Sequence, residues 1–220
     1  MGESMPCNVT TADWQPAAFP ADLEAARHLR EWLDDPSYSL YGIEQDFRGA
    51  DLSGGDFSGG WFIGARLAGV RLAGAEFYRA DLQSADLTGA DLTGACLVKA
   101  TLDEAVMRSA RLDGADMVGA DLHEVDAAGA SFRGTRISGA SLLGVDLRGA
   151  DLTDAVMSEN SFKVRVDDTT VVRGLTGTVF GPIIVVSGDA SRELAGGELE
   201  AWIRARGGDV QVIPPRRQAG

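Results

Sequence analysis

Lysine is nearly missing from this 220-residue chain, which holds only Lys99 and Lys163. Histidine and cysteine are as scarce, limited to His28, His123, Cys7 and Cys96. No second histidine or cysteine stands at metal-ligand spacing from any of these, which argues against a metal site. Two distant cysteines do not make a disulfide framework, and Cys96, on an outward position of the pattern described below, reads as a free thiol. No apolar run approaches the roughly 20 residues that cross a bilayer, and Met1-Gly2-Glu3-Ser4 lacks the basic and apolar parts of a signal peptide. A cytoplasmic protein that avoids membranes is expected. No serine sits in a nucleophile-elbow sequence, and no glycine-rich phosphate loop links a strand to a helix. The chain therefore reads as a protein without catalysis and without a cofactor.

Positive charge is also short, with 20 Lys and Arg against 33 Asp and Glu, for a net −13. Residues 1–44 carry −6, residues 45–164 carry −7, and residues 165–220 are neutral. This balance disfavours direct binding to nucleic acid and leaves a protein partner as the expectation.

What is present is a five-residue beat. From Phe47 to Phe162 every fifth residue is apolar, giving 24 units, and all but Ala127 are Phe, Leu, Met or Ile. A small residue precedes most of these by two, as at Ala80, Ala85 and Ala90, and in 12 of the 24 units an Asp or Glu stands between. A period of five suits neither a helix, where it advances about 500°, nor a straight strand, where alternate members would face opposite sides. Burying the whole column requires a bend in every unit, in the glycine-rich part. Ala127 should leave a gap that either pinches its coil or is filled by Met107 and Leu147 from the coils on either side.

Ala80-Asp81-Leu82-Gln83-Ser84, Ala85-Asp86-Leu87-Thr88-Gly89 and Ala90-Asp91-Leu92-Thr93-Gly94 resemble the unit of the pentapeptide-repeat family. The resemblance covers about residues 45–164. It implies a mainly β fold, a right-handed quadrilateral β-helix with four units per turn and about six coils. At roughly 4.8 Å per coil that is a rod on the order of 29 Å long. It also implies a partner class, because family members include proteins that bind DNA gyrase and related type II topoisomerases by imitating duplex DNA. Such a duplex would carry roughly 17 charges over that length, against −7 on residues 45–164.

A stacked coil needs both ends covered. Residues 1–44 are expected to supply an N-terminal cap, with a helix from about Asp22 to Leu33 whose Ala25, Leu29, Trp32 and Leu33 face the aromatic floor of Phe47, Phe57 and Phe62. Residues 165–220 read as a small C-terminal α/β appendage. Its strands fall near 170–172, 178–180, 183–186 and 210–213, and a helix after Gly196-Gly197 carries Leu199, Trp202 and Ile203. It serves as a cap on the last coil or as a homodimer surface.

Counting in twenties assigns the units to four faces. The face through Phe62, Leu82, Leu102, Leu122, Leu142 and Phe162 carries −4, the others 0, −2 and −1. Asp81, Asp103, Glu104, Asp121 and Glu124 form its acidic strip, and Tyr78, Val98 and Val118 form an outward apolar column on a neighbouring face. These are the two candidate partner-binding sites. Each has a plainer explanation: Asp before the central residue can close its own turn, and Val favours strands.

Overall fold

The structure is a computed structural model that describes residues 14–213. Each repeat forms the same local element. The central apolar residue accepts a hydrogen bond from the amide three positions on, as when Ala85 N–H donates to the Leu82 carbonyl at 3.1 Å. Between them lies a residue of positive φ, the dihedral that type II turns demand. Glycine supplies it in most units, for instance Gly89 at +64°. Ser84, Lys99, Glu104, Ser109 and Glu124 adopt it with side chains, at φ between +54° and +60°, at a cost on the order of 1 kcal/mol each.

One bend per unit closes a square after four. Outward residues pair in parallel with those exactly one turn away, in steps of 20 such as Trp61 with Asp81, Asp81 with Thr101 and Thr101 with Asp121. The ladder satisfies the backbone on both sides: Leu82 N–H reaches the Thr101 carbonyl at 2.7 Å, and Thr101 N–H returns to Ala80 at 3.0 Å. Inside, the central column and the small residues form one continuous core, with Leu82, Leu87, Leu92 and Leu97 wholly buried. Thr135, Asn160 and Thr170 occupy small-residue positions and stay satisfied by bonding to carbonyls of the preceding coil; Thr135 Oγ1 donates to Leu112 at 2.8 Å. Ala127 is fully buried, and the spacing between coils is unchanged around it. The ladder bonds beside it, Met107 N–H to Asp126 and Ala127 N–H to Asp146, measure 2.7 and 2.9 Å as elsewhere.

The first coil is covered as expected. Helix α1 (Leu23–Asp34) starts at Asp22, whose carboxylate accepts the amides of Glu24 and Ala25 at 3.0 and 2.9 Å. Its buried stripe of Ala25, Ala26, Leu29 and Trp32 meets the coil. Phe57 is the centre of that contact, with Trp14, Trp32, Phe62 and Phe77 rings between 5.4 and 5.8 Å from it. Ala18 pairs antiparallel with Asp51 and covers part of the open edge.

At the far end the beat does not stop at residue 164. Asp151 still pairs with Val171, and Val172 and Leu175 are buried in the core. The count in fives fails at one position, Asp167, where Val164 and Val166 enter the core instead beside a register shift between Leu143 and Asp146, and Val172 is back in step. Strands β1 (Arg136–Ser138), β2 (Ser141–Asp146) and β3 (Val156–Asp167) are the last lengths of the spiral; β4 (Thr176–Phe180) and β5 (Ile183–Ser187) add to β3 in parallel. Then β6 (Ala190–Leu194) turns back antiparallel on β5, helix α2 (Gly196–Arg204) sets Leu199 and Ile203 into the core, and β7 (Asp209–Ile213) pairs with β4. The appendage therefore packs against the last coils of the rod. At Gly177 a Cβ would lie 1.6 Å from the Met157 carbonyl oxygen, so the cap strand seats only with glycine there.

Two substitutions test this account by denaturant unfolding. Phe57→Ala should cost about 3–5 kcal/mol by emptying the ring cluster. Ser109→Gly should leave stability unchanged or raise it, by up to about 1 kcal/mol, by relieving the positive φ.

Candidate partner-binding faces

The Asp that precedes the central residue has a structural task. Its carboxylate accepts the amide two residues on: Ser58 to Asp56 at 3.0 Å, Gln83 to Asp81 at 3.0 Å, Thr88 to Asp86 at 3.0 Å and Thr93 to Asp91 at 3.1 Å. This explains much of the chain's acidity without reference to a partner.

The second task was not visible from the five-residue unit. On three faces these carboxylates meet an arginine, often one coil away. Arg66 reaches Asp46 at 3.7 Å, Arg71 reaches Asp51 at 3.3 Å, Arg111 reaches Asp91 at 3.9 Å and Arg136 reaches Asp116 at 3.2 Å. Arg108, Arg133 and Arg148 pair with Asp126, Asp151 and Asp146. On one face the outward column alternates as Asp51, Arg71, Asp91 and Arg111, a cross-strand pattern of opposite charges. The signal was present in the sequence at a spacing of 20.

The acidic strip differs. The ladder brings Asp81, Thr101 and Asp121 into one column, so the five carboxylates do share a face over three successive coils. Among the described residues none of the five is in an ion pair with an arginine or lysine. Asp81 closes its own turn, and Asp103 accepts the His123 amide at 2.8 Å. The Ser84 hydroxyl donates weakly to Glu104 at 3.4 Å, and the Glu124 carboxylate lies against Gly144. Because His123 turns its amide to Asp103, Asp121 is left exposed without the usual turn bond. Glu104 and Glu124 hold left-handed positions where glycine costs less.

The apolar column lies on the neighbouring face but is not an open stripe. Tyr78 and Val118 are half-buried, while Val98 is only 4% exposed. Beside it, Cys96 is disulfide-bonded, which corrects the expectation of a free thiol; Cys7 falls outside the described residues. Glu76, one coil below Cys96, is buried, and burial followed by the charge of Asp56 pushes its carboxyl up from the ordinary range. Among the described residues no group of His, Cys, Asp and Glu is arranged to hold a metal ion, and no helix is long and apolar enough to cross a membrane.

Residues 62–98, 85–123 and 115–154 match the family model described as pentapeptide repeats, in eight copies. No curated protein matches the chain in sequence. Among solved structures it is similar to HetL, a pentapeptide repeat protein involved in heterocyst differentiation regulation from the cyanobacterium Nostoc sp. strain PCC 7120, at 28% identity over 64% of this chain and 73% of that one, with a TM-score of 0.54. Rfr23 from the cyanobacterium Cyanothece 51142 matches at 21% identity over 66% and 97% of the two chains, with a TM-score of 0.46. QnrB1, a plasmid-mediated fluoroquinolone resistance protein, matches at 18% identity over 82% and 94%, with a TM-score of 0.29.

The turn carboxylates make stability depend on acid. The Arg48 side chain, hydrogen-bonded to Asp46, holds that carboxyl down at about 2; the Ser53 hydroxyl is the first cause of the lowering at Asp51. A depressed folded-state value means stabilisation that is complete above the unfolded value near 4 and is lost as pH falls toward 2. Urea unfolding midpoints should therefore hold from pH 7 to about 5 and drop between about pH 4 and 2, with a smaller drop in Asp46→Asn.

Proposed function

We propose that this chain, which belongs to the pentapeptide-repeat family, is a non-catalytic interaction scaffold that presents a β-helix face to a protein partner. The observation that carries this reading is the contrast between faces. Elsewhere on the rod arginine meets many of the turn carboxylates, whereas Asp103, Glu104, Asp121 and Glu124 stand together on consecutive coils and form no ion pair among the described residues. A structural role accounts for Asp81 and for one oxygen of Asp103. It does not account for the other three, two of which hold positions that favour glycine.

Uncompensated like charges repel and cost stability unless a cationic partner meets them. The rod fixes them on a backbone that cannot collapse around them, so a basic surface docking there gives up little ordering entropy. The partner implied is a protein with a basic groove or patch.

A second reading is imitation of duplex DNA toward DNA gyrase or a related type II topoisomerase. Local charge density favours it. Three coils span roughly 10–14 Å, over which a duplex carries roughly six to eight charges, and the strip presents five carboxylates. The mimicry would be confined to this patch, because the arginine pairs neutralise the other faces.

Reversal of Asp103, Glu104, Asp121 and Glu124 to Lys decides the matter. Binding to the captured partner should fall at least about tenfold and lose its salt dependence, while reversal of Asp91 and Asp151 on another face should leave it unchanged. For the second reading, purified protein at micromolar concentration should inhibit gyrase supercoiling and the fourfold variant should not. Equal binding by both variants would refute the scaffold face; inactive wild-type protein in the supercoiling assay would refute mimicry alone.

A further inference from the structure

The acidic face does not begin with a carboxylate. Its outward column runs Tyr41, Trp61, Asp81, Thr101 and Asp121, each paired in parallel with the next one coil on. Tyr41 is 63% exposed and Trp61 49%, at the end of the rod that α1 covers. Strand propensity accounts for a β-forming residue at such a position, but Thr101 meets that need in the same column without holding a large ring in water.

Elsewhere this chain lays its own arginines over rings that are less exposed. Arg30 stands 4.3 Å from the centre of the Phe19 ring, Arg79 5.3 Å from that of Tyr78 and Arg206 4.0 Å from that of Trp202, and all three rings are half-buried. Among the described residues no cation lies over Tyr41 or Trp61. The face whose carboxylates form no ion pair therefore also lacks cations above its rings. We propose that Trp61 and Tyr41 are a platform for an arginine of the partner, so that this face takes a basic segment that carries arginine, not lysine, at the end nearer α1. The proposal deepens the reading of the acidic strip as the docking face and rests on it.

The chemistry favours a guanidinium. A ring face attracts a cation within about 6 Å of its centre, and Asp81 follows Trp61 by one coil, roughly 4.8 Å. One Asp81 oxygen accepts the Gln83 amide at 3.0 Å, and the other has no partner among the described residues. A planar guanidinium can stack on the ring and donate to that oxygen at once, which a compact ammonium cannot. Trp61 and Asp121 stand three coils apart in the column, roughly 14 Å, and alternate side chains of an extended segment repeat at roughly 7 Å. A segment with a basic residue at every second position thus meets the rings, the middle of the strip and Asp121 in turn. A lipid surface is disfavoured, because anionic headgroups would face the carboxylates.

Two synthetic peptides, Arg-Thr-Arg-Thr-Arg and Lys-Thr-Lys-Thr-Lys, test the platform by calorimetric titration of the full chain at low salt. The arginine peptide should bind about threefold to fivefold more tightly and quench tryptophan fluorescence. Trp61→Thr should erase that preference with the β-sheet circular dichroism unchanged, and Trp61→Phe should keep part of it. Tyr41→Thr should weaken the preference as well, which keeps the test decisive where Trp61→Thr fails to fold. Equal affinity of the two peptides for the wild type, or a preference that survives both threonine substitutions, would overturn the platform. If reversal of Asp103, Glu104, Asp121 and Glu124 to Lys still abolishes binding of both peptides in that case, the docking face stands without it. Peptides that bind the reversed variant as well as the wild type would remove the docking face itself. A wild-type dimer that Trp61→Thr dissolves would assign the rings to a second copy and overturn the arginine platform.

Discussion

Everything in this molecule depends on burying one bulky side chain every five residues along a backbone that must also satisfy its own hydrogen bonds. A helix or a flat strand can do the second but not the first at this period. The bend after each central residue does both. It returns the chain to the inside, and four bends bring the ladder amides under carbonyls 19 or 21 residues away. Core and ladder are then the same device seen from two sides, and disruption of one coil exposes both.

That constraint also explains why the outside of the rod needs careful reading. Carboxylates recruited to close turns would accumulate as unbroken negative columns, since every coil stacks the same position over itself. Arginine one coil away interrupts this on three faces. The fourth escapes compensation on the coils of Asp103, Glu104, Asp121 and Glu124. Net charge alone could not reveal this, because paired and unpaired carboxylates contribute equally to −13.

Much of the fold was legible from the period. A chain that bends once per unit, the helix at Leu23–Asp34 against Phe57 and the placement of β4, β5, α2 and β7 followed from spacing and from the need to cover open ends, whereas four units per turn, and so the sharing of one face by the acidic residues, followed from the family resemblance. Three things did not follow. The column meets Asp167 where the core takes Val164 and Val166 instead, so the count ended there although Val172 falls back in step and the rod continues. Strand β6, Ala190–Leu194, has little apolar content and owes its form to pairing with β5. Val98 and Cys96 stood at outward repeat positions, yet both are buried and Cys96 is disulfide-bonded, which position within a unit does not encode.

The 20-residue closure has a consequence for how such a chain can change over evolutionary time. Because each coil touches chiefly the one before and the one after, inserting or deleting a full circuit in the middle of the rod leaves both caps on a matching neighbour and alters only the distance between them. Length can vary in quanta of one circuit without a new fold, whereas a gain or loss of a single five-residue unit would rotate everything beyond it by a quarter turn and carry the acidic strip onto a different side.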